Sequence, residues 1–324
     1  MIESSRVLRG RPEPARLEVT QRAPGGWTPT LFIRGTLALH TLGLLMLALE
    51  PALWPWVLGG LAANHVVIGV VVPFPRNALI GANITRLPPD AVARNEIALT
   101  FDDGPDPAVT PHVLDLLDAH AMRATFFCIA QNALAHPELV REIVRRGHHV
   151  ENHSHGHSVG FSLYGYARLS REIDTAQVAL YSIANRAPRF FRAPAGIRSP
   201  WLDPILQRRG LRYISWTRRG FDAVECDPQR VLLRLTRNLA GGDVLLLHDG
   251  GTAQTRDGRP VVLEVLPALL GYMRRCGLKS VTLSDGFLQD NQLVNCKIPQ
   301  ASPGALTTSA SAWTGPARSS TRTP

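Results

Sequence analysis

The 324-residue chain is 45% hydrophobic and 19% charged, enough to bury a large core in one domain of about 200–250 residues with attachments. Its formal net charge of +9 is carried largely by the ends: residues 1–34 hold six Arg against three Glu, and residues 297–324 hold Lys297, Arg318 and Arg322 with no acid, so about +3 remains for residues 35–296. The Arg pairs between them are scattered and lack interleaved aromatic residues, which argues against nucleic acid as a partner.

In chain order, the basic tail of residues 1–34 leads into a stretch, 35–74, whose single formal charge is Glu50, followed at once by Pro51. Its first half, GTLALHTLGLLMLAL, has 15 residues. That is roughly 22 Å of helix, so part of the preceding TLFIR is needed to approach the ~30 Å hydrocarbon core, with Arg34 snorkelling to the interface. The second half, ALWPWVLGGLAANHVVIGVVVPF, has 23 residues and places Trp54 and Trp56 as interfacial anchors. The expectation is a hairpin of two transmembrane helices, hence a multi-pass protein of the inner (cytoplasmic) membrane. The long charged region ahead of the apolar run disfavours a cleaved signal peptide, and a buried soluble hairpin is the remaining alternative.

A linker punctuated by Pro and Asn, 75–95, follows. From residue 97, short apolar runs alternate with longer amphipathic ones. The pattern predicts strands over 97–101, 124–129, 148–151, 189–192, 212–216, 244–248 and 280–283, and helices over 109–121, 137–146, 167–184, 200–209, 228–239 and 261–276. Several of these helices open on Pro and stop at Gly147, Gly210 or Gly277. Seven strands with helical crossovers imply an α/β fold over 96–286, a parallel sheet closed or nearly closed into a distorted (β/α)7 barrel. The four cysteines, 128, 226, 276 and 296, form no CxxC and demand no disulfide framework. Residues 287–324 lack the apolar content to fold and are expected to be a disordered tail.

In a parallel barrel, chemistry collects at the carboxyl ends of the strands. DDG (102–104), ENHSHGH (151–157), RAPAG (192–196), TRRGFD (217–222) and HDG (248–250) all fall there. The adjacent carboxylates Asp102 and Asp103 invite two roles, one binding metal and one taking a proton. Five histidines crowd into positions 148–157. Of these, His153 and His157 are four apart, so on a helical turn they project from one face and can chelate one ion. A carboxylate and two imidazoles suit Zn²⁺ or a similar divalent metal and leave a position for water.

The motifs TFDDGPD (100–106), GHHVENHSHGH (147–157), FFRAPAG (190–196) and LLLHDG (245–250) resemble those of the polysaccharide deacetylases of carbohydrate esterase family 4, whose shared unit is the chitooligosaccharide deacetylase (NodB) homology domain. The resemblance runs from about residue 96 to about residue 283. It implies that Asp103, His153 and His157 are metal ligands, for zinc first and for cobalt, nickel or manganese as other candidates. It further implies that Asp102 is the general base, that Arg192 orients it, and that His248 is the general acid. Pro194, Ala195, Gly196, Trp216 and Leu246 are implied substrate contacts, Leu246 lining an acetyl pocket and a backbone N–H near Ala195 facing the oxyanion. The implied reaction removes N-acetyl groups from amino sugars in a polysaccharide or oligosaccharide.

Two departures stand out. Ala195 replaces an aromatic residue frequent in the family, and SWTRRGFDA has Arg219 and Ala223 where the family has an Asp–Trp pair. Asp222 remains available to tune His248. A carboxylate beside an imidazole raises its pKa. His148, His149 and His155 are expected to pack or face solvent, and Asp249 to be a structural hydrogen-bonding residue. Two other readings stay open: a deacylase or deformylase of a lipid-linked amino sugar at the membrane, and a catalytically dead carbohydrate-binding membrane protein, which the intact constellation argues against. Two spans would return the catalytic domain to the side of the basic N-terminus, and by the positive-inside rule this is the cytoplasmic face.

Overall fold

The protein is described here by a computed structural model covering residues 27–287; most of the basic tail and the C-terminal tail after 287 lie outside the described residues. Thr30 caps the first helix, α1 (Leu31–Leu49), its Oγ1 accepting the Ile33 N–H at 3.2 Å. A 3-10 turn at Pro51–Leu53 reverses the chain into α2 (Trp54–Val71). Both are long and apolar enough to cross a membrane by length and composition, and little of either is buried against the rest of the chain. Several polar groups on the pair bond within it: Thr36 donates to Asn64 Oδ1 at 3.1 Å, and His40 and His65 each donate a ring N–H to the carbonyl one turn back.

The chain then runs through α3 (Pro89–Ala93), β1 (Glu96–Asp102), α4 (Thr110–Ala119), β2 (Ala124–Cys128), α5 (Ala130–Ala135), α6 (Pro137–Arg145) and β3 (His149–Asn152). Next come α7 (Tyr166–Ala184), β4 (Phe190–Phe191), α8 (Leu202–Arg209), β5 (Arg212–Tyr213) and β6 (Arg218–Arg219). The last elements are α9 (Pro228–Thr236), β7 (Val244–His248), α10 (Val261–Arg275), β8 (Lys279–Ser280) and α11 (Leu283–Gly286). All ladders are parallel, in the order β5-β4-β3-β2-β1-β7-β6, with β8 set against the start of β1. This is the expected α/β architecture, a seven-stranded curled barrel wrapped by helices.

Central strands read as continuous apolar runs because both their faces are covered. On β1, Leu99 and Phe101 point outward into a core shared with Phe126, Leu245, Leu247 and the inner faces of α4 and α10. Ala98 belongs to the opposite, inner cluster with Phe127, Trp216 and Leu246. The same alternation carries Thr100 and Asp102 inward. Register then aligns the strand ends: Asp102 pairs with His248 and Phe127, Cys128 with Asn152, and Asn152 with Phe191.

Several elements differ from the sequence expectation. The strand read over 212–216 is shortened to β5, because Ile84 pairs beside its second half: Ile84 N–H donates to Tyr213 O at 3.1 Å, and Ser215 N–H donates to Ile84 O at 2.9 Å; β6 lies beyond that range and pairs with β7. The strand read over 280–283 stops at Ser280, since Thr282 caps α11 by accepting the Asp285 N–H. Helix α5 was not anticipated. The segment 75–95, expected as a linker, also bridges the open side of the barrel, where Leu87 N–H donates to Gly242 O at 2.8 Å and Arg86 pairs with Asp243 at 3.1 Å.

If residues 84–87 close the barrel, Ile84→Pro removes a donor and leaves the Tyr213 carbonyl unpaired. We expect a loss of about 1–3 kcal/mol, read as a lowered Tm of the full chain in detergent; an unchanged Tm would mean that the segment is only a linker.

Candidate active site

The two adjacent carboxylates diverge because their backbones differ. Asp102 is the last residue of β1 and points into the barrel, 4% exposed. Asp103 already has φ 72, a left-handed conformation that Asp tolerates better than most residues. Its carbonyl accepts from Asn132 Nδ2 on α5 at 2.9 Å. Across the turn, a Cβ on Gly250 would lie 2.4 Å from that same carbonyl, so only glycine lets the ends of β1 and β7 abut.

His153 follows β3 directly. Its Nδ1 donates to the Arg192 carbonyl at 2.9 Å, which leaves Nε2 as a lone pair directed at Asp103 Oδ1, 3.2 Å away. His157 Nε2 lies 3.1 Å from the same oxygen. The helical turn expected between the two histidines is instead an irregular loop with Ser154 at φ 69 and His157 at φ 46. Side chains fix that shape: Asn152 Oδ1 accepts the Ser154 N–H at 2.9 Å, Ser154 Oγ accepts the His157 N–H at 3.1 Å, and Asn152 Nδ2 is anchored to Gln177 and the Ile173 carbonyl on α7.

The donor atoms of Asp103, His153 and His157 lie within 4.8 Å of one another. Asp103 Oδ1 is buried and meets no hydrogen-bond donor in acceptable geometry. An oxygen facing the imidazole lone pair of His153, with His157 at similar range, is repulsive unless a proton or a metal cation sits between them. One carboxylate and two imidazoles also match the donor set of zinc and its neighbours, so the residues fit a divalent metal. Burial works against ionisation of Asp103, but the imidazoles outweigh it and bring its carboxyl down to about 2. Burial also disfavours charge on His153, yet Asp102 and Asp103 overcome it and raise its pKa; for His157 burial prevails and the pKa falls.

Arg192, fully buried, reaches across the barrel. Its Nη1 donates to Asp102 Oδ1 at 2.6 Å and to Thr100 Oγ1 at 2.8 Å, its Nη2 to Ser215 O at 3.0 Å, and its guanidinium lies 4.2 Å over the Phe127 ring. On the other side, Asp222 receives both the His248 N–H at 2.7 Å and the ring Nδ1–H at 2.9 Å. Burial disfavours the imidazolium, but the hydrogen bond and charge of Asp222, with Asp102 and Asp103 beyond, raise the His248 pKa above its ordinary value.

A cavity of about 150 Å³ joins these groups, lined by Asp102, Asp103, His153, His157 and His248, and walled by Ala195, Gly196, Trp216, Arg219, Ala223 and Leu246. Pro194 is buried behind this wall and is not among the lining residues, because the turn that follows it puts Ala195 and Gly196 forward. His148 and His149 are turned into packing, where burial brings both down to about 4; His148 Nδ1 accepts the Ala124 N–H at 3.2 Å. His155 is outside the ligand group. Asp249 accepts from Thr110 Oγ1 at 2.6 Å, and burial pushes its carboxyl up to about 7. Thr100, Asn132 and Asn152 are site residues that the sequence reading does not include. Thr100 could have been included, since it lies two residues before Asp102 on the same strand face.

Comparison with known proteins agrees with the fold and the motifs. A polysaccharide deacetylase profile matches residues 90–214. The chain is 31% identical over 198 residues to a peptidoglycan-N-acetylglucosamine deacetylase of Bacillus cereus, covering 60% of this chain and 90% of that protein. It is 36% identical over 165 residues to a chitooligosaccharide deacetylase of Bradyrhizobium sp., covering 50% of this chain and 74% of the relative. The solved family 4 carbohydrate esterase from Streptomyces lividans, in complex with acetate, superposes with a TM-score of 0.51 at 29% identity, covering 57% of this chain and 91% of that one. The chain therefore belongs to the polysaccharide deacetylase family, carbohydrate esterase family 4 with its NodB homology domain, a family of hydrolases acting on amide carbon–nitrogen bonds.

Proposed function

We propose that this chain is a metal-dependent N-deacetylase of N-acetylated amino sugars in a polysaccharide or oligosaccharide. The observation that carries the reading is the convergence, in one cavity, of Asp103, His153 and His157 with the Asp102–Arg192 pair on one side and the His248–Asp222 pair on the other. Asp103, His153 and His157 would hold a divalent metal, zinc by preference with cobalt, nickel or manganese as substitutes, which would supply Lewis acidity toward water and an amide carbonyl. Asp102, fixed by Arg192, receives the proton of the attacking water. A backbone N–H near Ala195 is assigned to the oxygen on which charge develops. His248 gives its proton to the departing nitrogen as the carbon–nitrogen bond breaks, leaving acetate and a free amino sugar. Leu246 and Trp216 wall the space for the acetyl methyl group, with Gly196 beside them.

A second reading keeps the chemistry and changes the carrier, to a lipid-linked amino sugar that is deacylated or deformylated at the membrane. It is favoured by the path of the chain leaving α2: a Cβ on Gly196 would lie 2.9 Å from Pro75 Cβ, and Arg76 Nη1 donates to Thr217 O at 3.2 Å. The putting-together of hairpin and cavity wall suits a substrate held at the bilayer. The two helices are read as spans of the inner (cytoplasmic) membrane; with the basic N-terminus and Arg76, Arg86 and Arg94 flanking them, the positive-inside rule puts the catalytic domain on the cytoplasmic face.

Three measurements test this. The purified chain should release acetate from an N-acetylated saccharide and stop when a chelator is added; Asp103→Ala and His153→Ala should lose the metal in elemental analysis while His155→Ala keeps it, and equal loss in all three would reject the ligand set. Because Asp222 raises the pKa of an acid that must be protonated to act, activity is lost as pH rises through that pKa. Asp222→Asn should therefore move the alkaline limb of the kcat/KM profile to lower pH, whereas an unmoved limb would remove His248 from the acid role. Finally, a reporter active only in the periplasm, fused at the C-terminus, should stay silent; a signal would sink the hairpin orientation.

A further inference from the structure

We propose that a rim of the catalytic domain beside the active site, formed by residues 158–166 and the start of α8, lies on the lipid headgroup boundary of the same bilayer. The proposal rests on the reading of α1 and α2 as membrane spans and extends it to the domain. Val159 and Leu163 are exposed at 102% and 88%, and Trp201 at 54%, with none of the described residues covering them. They belong to one band. Tyr166 meets Trp201 edge-on at 6.5 Å between ring centroids. Arg208 donates to the Tyr166 hydroxyl at 2.7 Å, and Arg168 donates to the Tyr164 hydroxyl at 2.7 Å while lying 3.6 Å over its ring.

The band is continuous with the base of the hairpin. Asp203, two residues after Trp201, accepts from Trp27 Nε1 at 2.9 Å, and Gln207 on the same helix accepts the Thr28 N–H at 3.1 Å. Residues 27–30 lead directly into α1, so a bilayer that holds α1 ends next to α8. The composition matches that location. Trp and Tyr sit where one end is apolar and the other wet, aliphatic side chains enter the acyl boundary, and arginines meet phosphate. The nearby acids are turned to protein: Asp174 pairs with Arg209, and Glu172 accepts the Gly156 N–H at 3.2 Å. The outer edge is thus left to Arg168 and Arg208. Because Val159 follows His157 by two residues, the loop that carries a candidate metal ligand is the loop that meets lipid. A saccharide would then reach the cavity as the headgroup of a membrane-anchored carrier.

The test uses the full chain in phosphatidylglycerol-containing nanodiscs, with its four cysteines replaced and spin labels introduced singly by Leu45→Cys, Leu163→Cys and Leu233→Cys, all at exposed positions. Collision rates with oxygen and with a water-soluble nickel complex report lipid or water contact and need no catalysis, so they are independent of the deacetylase reading. The expected result is oxygen-dominated relaxation at positions 45 and 163 and nickel-dominated relaxation at 233. Lipid contact at 45 with water contact at 163 overturns the rim alone, and shielding of 163 from both reagents overturns it in favour of a protein partner. Water contact at 45 overturns the membrane hairpin, and the rim with it.

Discussion

The guanidinium of Arg192 is the interaction on which the rest of the site depends. A cation with no exposed surface is tolerable only if its donors are used and its charge is met. Here Thr100, Asp102, Ser215 and Ile214 supply the acceptors, and Phe127 lies beneath the plane. Those partners come from β1, from β2 and from the stretch between β5 and β6, so one side chain ties together the part of the barrel that Ile84 closes. Leaving Asp102 unpaired would cost about 3–5 kcal/mol, the usual penalty for breaking a buried ion pair. Arg192 also acts through its backbone, since its carbonyl receives His153 Nδ1 and so sets which ring nitrogen faces Asp103. The same residue holds the candidate base and fixes the tautomer of a candidate ligand.

From this follows a separation of charge that adjacent residues could not achieve in a regular strand. Asp102 keeps the extended geometry of β1 and is bound to a cation. Asp103 turns into the left-handed region and faces two imidazoles. His248 stands directly across the ladder from Asp102, but its ring is oriented by Asp222 from the neighbouring strand end. Each candidate proton carrier therefore has its own oppositely charged partner, and the two pairs do not compete for the same acceptor. That arrangement lets a base and an acid coexist in a small cavity.

Sequence pattern was sufficient where local chemistry decides the structure. The runs at β1, β2 and β7 are long and apolar enough to be strands in any context, and their carboxyl ends locate Asp102 and His248 without coordinates. The four-residue interval singles out His153 and His157, which the structure does bring together beside Asp103, but hydrogen bonds to Asn152 and Ser154, rather than a helical turn, hold the loop that does so. Where a distant segment decides, pattern fails. Nothing in RYISWTRR announces that Ile84, about 130 residues earlier, pairs beside Ile214 and shortens the strand. Helix α5, at six residues, is too short to show periodicity. Leu283 was misread although its signal was present, because TLSD is a capping sequence in which Thr282 accepts the Asp285 N–H.

The hairpin is not joined to the barrel as a tether would be. A tether needs only length, whereas here the chain on entering α1 bonds to α8 and on leaving α2 packs into the cavity wall. Gly196 shows how closely: with φ 73, it sits where a Cβ would come within 2.5 Å of Trp216 and 2.9 Å of Pro75. The residue that gives the wall its turn is also the one that admits the chain leaving α2. At the neighbouring position Ala195 offers no aromatic side chain, so the wall on this side is made by Trp216 and Arg219, with Pro75 packed against Gly196. The packing of that wall is consequently tied to the chain that leaves the hairpin, which joins the least family-like part of the cavity to the part of the chain that lies outside the barrel.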